Sequence, residues 1–488
     1  MTLEPDAAYR VLQSHDARFD GRLFVGVTST GIYCRPVCRV RLPRRENCRF
    51  FANAASAERG GFRPCLRCRP EQAPGLSLAD SPQVLAQHAA RMLEHAARLG
   101  DEVGLPALAA RLGVTDRHLR RIFAAVHGAT PIDYLTTQRL LLAKQLLTDT
   151  RLPVADVALA AGFGSQRRFN AAFAAHYRLN PTALRRARQR GTPAANEALI
   201  GATVRLAYRP PYDIDGVLGF FAARAVAGVE TVDPAQRSLR RTLAWSHQGR
   251  PIAGWLAGRF VPARHEVEVA VSPSLAPALG AVVQRLRQGL DLDADPAAIA
   301  AALAALPGAP GTRVPNGLDG FEIAVRVILG QQVSVAAART LTRRLVEALG
   351  APIATPFADL TRLFPSAERI ARAGADEIGR LGIVRLRVGA LQALAAEVHA
   401  GRIALHRAAP LAATLDALRA LPGIGEWTVQ LIAMRALAWP DAFPATDIGV
   451  MNALGTRDAK AVAERSQAWR PWRSYAVMRL WQSLETGT

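Results

Sequence analysis

The chain is 488 residues long and half of it is hydrophobic, too much for one core and enough for several domains. Its 61 Lys and Arg against 40 Asp and Glu leave a formal net charge of +21, which favours a polyanion such as nucleic acid over a small neutral substrate. No run of 18 apolar residues occurs, which argues against a membrane span, and the N-terminus has no basic start followed by an apolar core. A soluble, intracellular protein, in the cytoplasm with nucleic acid, is therefore expected. The excess charge is uneven: residues 1–200 hold 29 basic and 16 acidic residues. Only Lys144 and Lys460 are lysines, a bias that explains the choice of arginine but not the net excess.

In chain order, residues 1–75 come first and hold all five cysteines, between positions 34 and 68. Cys34-x3-Cys38 and Cys65-x2-Cys68 are two thiolate pairs at metal-ligand spacing, the donor set of a tetrahedral zinc ion. Cys48 has no partner at that spacing and is expected to be a buried or free thiol. Arg35, Arg39, Arg41, Arg63, Arg67 and Arg69 surround the ligands. They can offset the charge of a four-thiolate zinc centre and hold a phosphate. A zinc-bound thiolate stays deprotonated and nucleophilic, so the cluster can be reactive or purely structural.

The phrases TGIYCRPVCRVR, RENCRFFANA and GFRPCLRC closely resemble the N-terminal domain of the adaptive-response regulator Ada. The resemblance implies that Cys34 accepts a methyl group from a DNA methylphosphotriester. It also implies Cys34, Cys38, Cys65 and Cys68 as the ligands of one zinc ion, structural and thiolate-activating. Thr30, Arg41, Arg63 and Arg67 match the positions that hold the DNA backbone.

RPEQAPGLSLADSP (69–82) reads as a linker, and residues 83–188 then follow a helical period throughout. GLPALAARLGVTDRHLRRIFAAVHGATP (104–131) reads as helix, turn, helix around Leu108, Leu112, Val114, Leu119, Ile122 and Phe123. Its second helix presents Thr115, Arg117, His118, Arg120 and Arg121 to a major groove. A second copy at 153–185 presents Ser165, Gln166, Arg167, Arg168 and Asn170. Two such units joined by a long helix at about 132–148 resemble the AraC-type DNA-binding domain. The resemblance implies two recognition helices in successive major grooves.

QRGTPAANEA (189–198) is a second linker; residues 200–296 mix strand alternation, as in HEVEVAVS (265–272), with helices, and 297–488 are almost wholly helical. LPGIGEW (421–427) sets Gly423 and Gly425 in a tight turn ahead of a helix start, an arrangement that grips a DNA phosphate without reading bases. RLAYRPPYDIDGVLGFFAARAVAGVETVD (205–233), VRVILGQQVSVAAARTLTRRLVE (325–347), LPGIGEWTVQLIAMRAL (421–437) and PWRSYAVMRLW (471–481) resemble the AlkA-type 3-methyladenine DNA glycosylases. The likeness runs from about 200 to 482.

It implies a small α+β domain followed by a helix-hairpin-helix catalytic domain, with Asp447 in FPATDIGVMNAL as the catalytic carboxylate. An Asp before a helix can equally be an N-cap. Trp427, Trp481, Phe221 and Tyr212 match or lie near the aromatic walls that hold a flipped-out base. Gln332 stands where the family has a leucine wedge, and Leu431 replaces a pocket tyrosine. Related bifunctional glycosylases place a Schiff-base lysine where Trp427 stands here, so hydrolysis to an abasic site is expected, without a lyase step. The family often holds a monovalent cation at the hairpin carbonyls. No Pro-Cys-His-Arg occurs, so repair of O6-methylguanine is not expected.

The expected whole is multidomain and mainly α. A Cys₄ zinc α+β domain (1–75) precedes an all-α double helix-turn-helix domain (83–188), a small α+β domain (200–296) and an all-α helix-hairpin-helix domain (297–488). The expected function is that of a monofunctional DNA-3-methyladenine glycosylase II that hydrolyses 3-methyladenine and 7-methylguanine type lesions, fused to a methyl-sensing transcriptional activator. Double-stranded DNA, at lesions and promoters, and RNA polymerase are the expected partners of a monomer. The competing reading is a transcription regulator whose glycosylase-like half is catalytically inert.

Overall fold

The computed structural model describes residues 5–15, 20, 23–51, 54–68, 70, 82–99, 104–149, 152–189, 202–247, 250–407 and 409–486. Both expected linkers fall almost wholly outside these. The chain divides into two compact units, Met1–Ala97 with Glu102–Arg139, and Arg98–Asp101 with Leu140–Thr488. This division crosses the helix Pro131–Asp149, so the two helix-turn-helix lobes expected in one domain belong to different units.

The first unit opens with a four-stranded sheet in the order β3-β1-β2-β4, formed by β1 (Phe24–Val27), β2 (Ile32–Cys34), β3 (Cys48–Phe51) and β4 (Arg63–Pro64). β1 runs antiparallel to β2 and β3, whereas β2 and β4 are parallel. Its apolar core is small: Phe24, Tyr33, Ala57 and Phe62 form one cluster, and Leu12, Val25 and Cys48 another. The helices Pro82–Leu99, Leu105–Arg111 and Asp116–His127 enclose a separate core. There Leu108, Leu112, Leu119, Ile122 and Phe123 are buried and Val114 packs against them. Thr115 caps the recognition helix by accepting from the His118 amide, which fixes where that helix starts.

In the second unit, the helices Val154–Ala160, Gln166–Tyr177 and Pro181–Gln189 form the second lobe, with Ser165 capping the second recognition helix. An antiparallel sheet follows in the order β5-β9-β8-β7-β6: β5 (Ala202–Ala207), β6 (Glu230–Asp233), β7 (Ser238–His247), β8 (Arg250–Val261) and β9 (Glu266–Val271). The helices from Leu279–Gly289 to Arg473–Thr486 complete the unit. Among the described residues, no helix is long and apolar enough to cross a membrane.

A buried ring of four charges ties the sheet to the helical core. Glu230 on β6 and Arg241 on β7 face each other in register. Arg241 reaches Glu230 Oε2 at 3.2 Å and Glu322 Oε2 at 2.6 Å. Arg326, one turn beyond Glu322 on the helix Gly320–Leu329, reaches Glu230 Oε1 at 2.7 Å and Glu322 Oε1 at 2.6 Å. Each guanidinium thus bridges both carboxylates. Burial opposes the charge on Glu322, but Arg241 and Arg326 outweigh it and hold this carboxyl below its usual range. Glu322→Ala, which leaves two buried cations short of a partner, is expected to destabilise this unit by about 3–5 kcal/mol in urea unfolding followed by circular dichroism.

Candidate active site and metal centre

Local folding brings the four ligand cysteines together. Cys34 ends β2 and Cys65 directly follows β4; the parallel pairing of these strands, continued by Cys65 N donating to Tyr33 O at 3.0 Å, sets the two side by side. A turn after each strand returns the second member of the pair, as where Cys38 N donates to Arg35 O at 3.1 Å. All four sulfurs lie within 4.8 Å of one another, and all four residues are buried. A tetrahedral zinc–thiolate centre needs sulfurs ~3.8 Å apart, so the residues fit that ion. Hydrogen bonds to Cys38 and Cys68, with burial, push the Cys34 thiol up, while Cys34 and Cys68 hold the Cys38 thiol down to about 3.

Thr30, Arg41, Arg63 and Arg67 are exposed around this cluster, open to a large ligand. Arg35 behaves differently from the other arginines. It is fully buried behind Cys68, its Nε donating to Asp20 at 2.7 Å and its backbone N–H to Cys68 Sγ at 3.5 Å. Its guanidinium is paired with Asp20 and shut off from a phosphate, so the expectation that it offsets thiolate charge or holds a phosphate is corrected. Arg69 lies outside the described residues. Cys48 is buried and donates to Arg44 O at 3.3 Å, away from the cluster.

On the first recognition helix, Arg117, Arg120 and Arg121 are exposed. Arg120 pairs with Asp116 one turn earlier at 3.2 Å, and Arg121 lies 3.1 Å from the His118 ring. On the second, Gln166, Arg167 and Arg168 are exposed.

In the second unit a cavity of about 760 Å³ opens beside Asp447, a size typical of ligand pockets. Asp447 is 8 % exposed and does two things at once. Its Oδ1 caps the helix Ile448–Ala453 by accepting from Val450 N at 3.0 Å, so the N-cap expectation holds. The same Oδ1 accepts from Trp481 Nε1, and Oδ2 from Trp427 Nε1, both at 2.9 Å. Two indole N–H groups and a backbone amide therefore orient this carboxylate at the cavity wall. Gly449 permits the arrangement: a Cβ there would lie 2.9 Å from Trp481 and 3.1 Å from Asp447 Oδ1.

The walls include Trp427, Trp481, Phe221 and Leu431, and the ring of Glu230, Arg241, Glu322 and Arg326 borders the same space. Phe220, Arg224 and Arg435 also line the cavity and were not singled out in the sequence. Phe220 stacks on Trp481, with centroids 6.4 Å apart and planes at 13°, and the Arg224 guanidinium lies 3.6 Å from the Phe220 centroid. Their spacing of four on the helix Ile214–Arg224 is the signal that could have found them. Arg435, four and eight residues beyond Leu431 and Trp427, lies 4.8 Å from the same ring. Burial, with Arg224 and Arg326 nearby, pulls its guanidinium down to about 9.

Tyr212 is a correction to the expected wall. Its hydroxyl donates to Leu290 O at 2.5 Å, its ring packs on Tyr208 and Phe260, and the Arg313 guanidinium lies 4.6 Å from its centroid. It is a core residue and does not line the cavity.

Gln332 is exposed in the turn between the helices Gly320–Leu329 and Val335–Leu349, with φ +53. A non-glycine residue held left-handed costs roughly 1 kcal/mol or more, a strain that recurs at functional turns. Its neighbour Gln331, not singled out in the sequence, donates from Nε2 to Gly423 O and Thr428 Oγ1, each at 2.9 Å. That bond clamps the turn onto the hairpin between the helices Leu411–Arg419 and Glu426–Arg435. Gly423 has φ +74 and a Cβ on it would meet Leu386 O at 3.3 Å, so the hairpin needs glycine there.

A four-thiolate cluster with a helix-turn-helix, and an aromatic cavity with a buried carboxylate beside a helix-hairpin-helix, define a two-part class: a metal-binding regulator joined to a base-excision fold. Four family profiles match in that order: the metal binding domain of Ada over residues 7–71, a helix-turn-helix domain over 108–187, the AlkA N-terminal domain over 203–319, and the HhH-GPD superfamily of base excision DNA repair proteins over 325–467. A probable bifunctional transcriptional activator/DNA repair enzyme AlkA of Mycobacterium tuberculosis is 40% identical over 98% of this chain and 96% of its own length. DNA-3-methyladenine glycosylase 2 of Escherichia coli is 33% identical over 57% of this chain and 95% of its own. The bifunctional transcriptional activator/DNA repair enzyme Ada of Escherichia coli is 39% identical over 26% of this chain and 34% of its own. The chain belongs to the AlkA family of bifunctional transcriptional activator/DNA repair proteins.

Proposed function

We propose that the second unit is a monofunctional DNA glycosylase that hydrolyses the N-glycosidic bond of alkylated purines, with Asp447 as its catalytic carboxylate. The observation that carries this is a buried carboxylate held by two indoles at the wall of an aromatic-lined cavity roomy enough for a flipped base. Alkylation at N3 or N7 makes the base a cation and a good leaving group. As the C–N bond breaks, the bonding pair leaves with the base and the sugar becomes positive. Asp447 stabilises that charge, water adds its oxygen to the anomeric carbon, and its proton passes to the carboxylate or solvent. Trp427, Trp481 and Phe221 hold the flipped base, Gln332 fills the gap it leaves, and Gly423 and Gly425 grip the backbone. The lining carries no lysine, in keeping with hydrolysis and no lyase step. A monovalent cation at the hairpin belongs to the same reading; Gly423 O, which already accepts from Gln331, has a second lone pair for it. The deciding experiment counts abasic sites in methylated duplex after treatment with wild type and with Asp447→Asn.

The first unit is read as the sensor, with Cys34, Cys38, Cys65 and Cys68 as the residues that would hold zinc; the Cys34 thiolate forms an S–CH₃ bond as the methyl–oxygen bond of the phosphotriester breaks, and the phosphate leaves as the diester anion. Of the four cysteines, only Cys34 and Cys38 border a small apolar recess that also includes Leu12, Val25 and Val40. Bound zinc keeps the thiolates ionised. Thr30, Arg41, Arg63 and Arg67 hold the phosphate backbone. Arg117, Arg120, Arg121, Gln166, Arg167 and Arg168 face promoter DNA, where RNA polymerase is the partner of an activator. Methylation removes one negative charge beside the phosphates, so promoter affinity should rise. Peptide mass spectrometry after exposure to phosphotriester DNA should find the methyl on Cys34 and not on Cys38; an unmodified Cys34 overturns this part alone.

A further inference from the structure

The second helix-turn-helix lobe does not have a core of its own. One continuous cluster runs from Leu146, Val157, Phe169 and Phe173 into Val204, Leu256, Val269 and Leu275 of the sheet domain. The lobe's first helix, Val154–Ala160, lies against the turn Pro273–Ala278 that follows β9. The first lobe differs: its core residues run only from Leu85 to Leu135. Burial of fully enclosed side chains on both sides of a contact makes two elements move as one. The second recognition helix is thus packed onto the sheet domain, and it lies in the same compact unit as the Asp447 cavity.

Its outer face remains built for a polyanion. Between Val154 and Gln189 stand six arginines and one acidic residue, Asp156. Arg167, Arg168, Arg178 and Arg186 are exposed, beside Gln166 and Asn170. A basic helix fixed to the excision body meets flanking DNA without the ordering cost that a free tether imposes.

We propose that this lobe is part of the DNA grip of base excision: Arg167 and Arg168 bind the duplex at a fixed distance from the lesion whose base enters the cavity. The inference rests on the glycosylase reading and adds a second binding surface to it.

The test uses the full chain, wild type and Arg167→Ala/Arg168→Ala, on alkylated duplexes trimmed stepwise on either side of the lesion. In the double variant KM should rise about five- to tenfold with kcat within twofold of wild type. The slope of log affinity against log salt should fall by about 2, for two lost phosphate contacts. In the wild type, KM should step up at one flank length on one side only, and the double variant should lack that step. If the variant matches wild type in KM and salt slope, or if both proteins show the same gradual length dependence, the inference is overturned while glycosylase activity stands. If wild type itself releases no base, the glycosylase reading fails and takes this inference with it.

Discussion

Asp447→Asn is expected to release alkylated purines about 10²–10³-fold more slowly than wild type, the loss typical of removing one pre-organised electrostatic group. The change should act on kcat, because the carboxylate meets a full positive charge only as the sugar–base bond opens. Its effect on the fold should be small. Asparagine caps helices about as well as aspartate, so the bond from Val450 N can persist. The amide has one acceptor oxygen where the carboxylate has two, and the Trp427 and Trp481 indoles then compete for it. A melting temperature within a few degrees of wild type, with abasic sites nearly abolished, is the expected pair of results. Equal rates of abasic-site formation would show that Asp447 is only a cap.

Removing the metal should have the opposite distribution of effects. The sheet around β1 buries few apolar side chains, Phe24, Tyr33, Ala57 and Phe62 in its main cluster, and a domain of this size needs a staple. Structural zinc supplies about 10–16 kcal/mol of apparent binding free energy in small thiolate domains at neutral pH. Chelation, or Cys68→Ser, should therefore unfold the first 75 residues, read as rapid proteolysis between Phe24 and Cys68 and loss of one zinc per chain by atomic absorption. Cys48→Ser should keep its zinc, since that sulfur contacts Arg44 O and not the cluster. Base release should survive both changes, because the cavity and its core lie in the other unit.

The parts of this molecule that could be read from residues alone are those whose partners lie close along the chain. Two cysteine pairs, two recognition helices and a Pro-Gly-Ile-Gly hairpin each declare themselves within a few dozen residues, although Thr115 and Ser165, read as groove-facing, turn out to be the N-caps of those helices. The charge ring was illegible because Glu230 and Glu322 are nearly a hundred residues apart and each resembles a surface residue until the strands pair. Tyr212 was misread for the same reason: being an aromatic near pocket positions does not say which way the ring faces, and Arg313 and Leu290 draw it inward. The second lobe reads as one half of a regulator, since its Phe169 and Phe173 spacing says they are buried but not against what. Gln331, passed over for Gln332, shows how neighbours in a tight turn divide between the hairpin and the solvent.

The ring of Glu230, Arg241, Glu322 and Arg326 has a consequence for how such proteins diversify. One boundary of the cavity comes from strands near residues 230–241, while the carboxylate comes from residue 447. The ring and the carboxylate that share this cavity are thus written in separate stretches of gene. Exchange of the strand segment between relatives, with the four charges kept, replaces no residue of the cavity lining and should leave both lesion choice and cleavage chemistry alone.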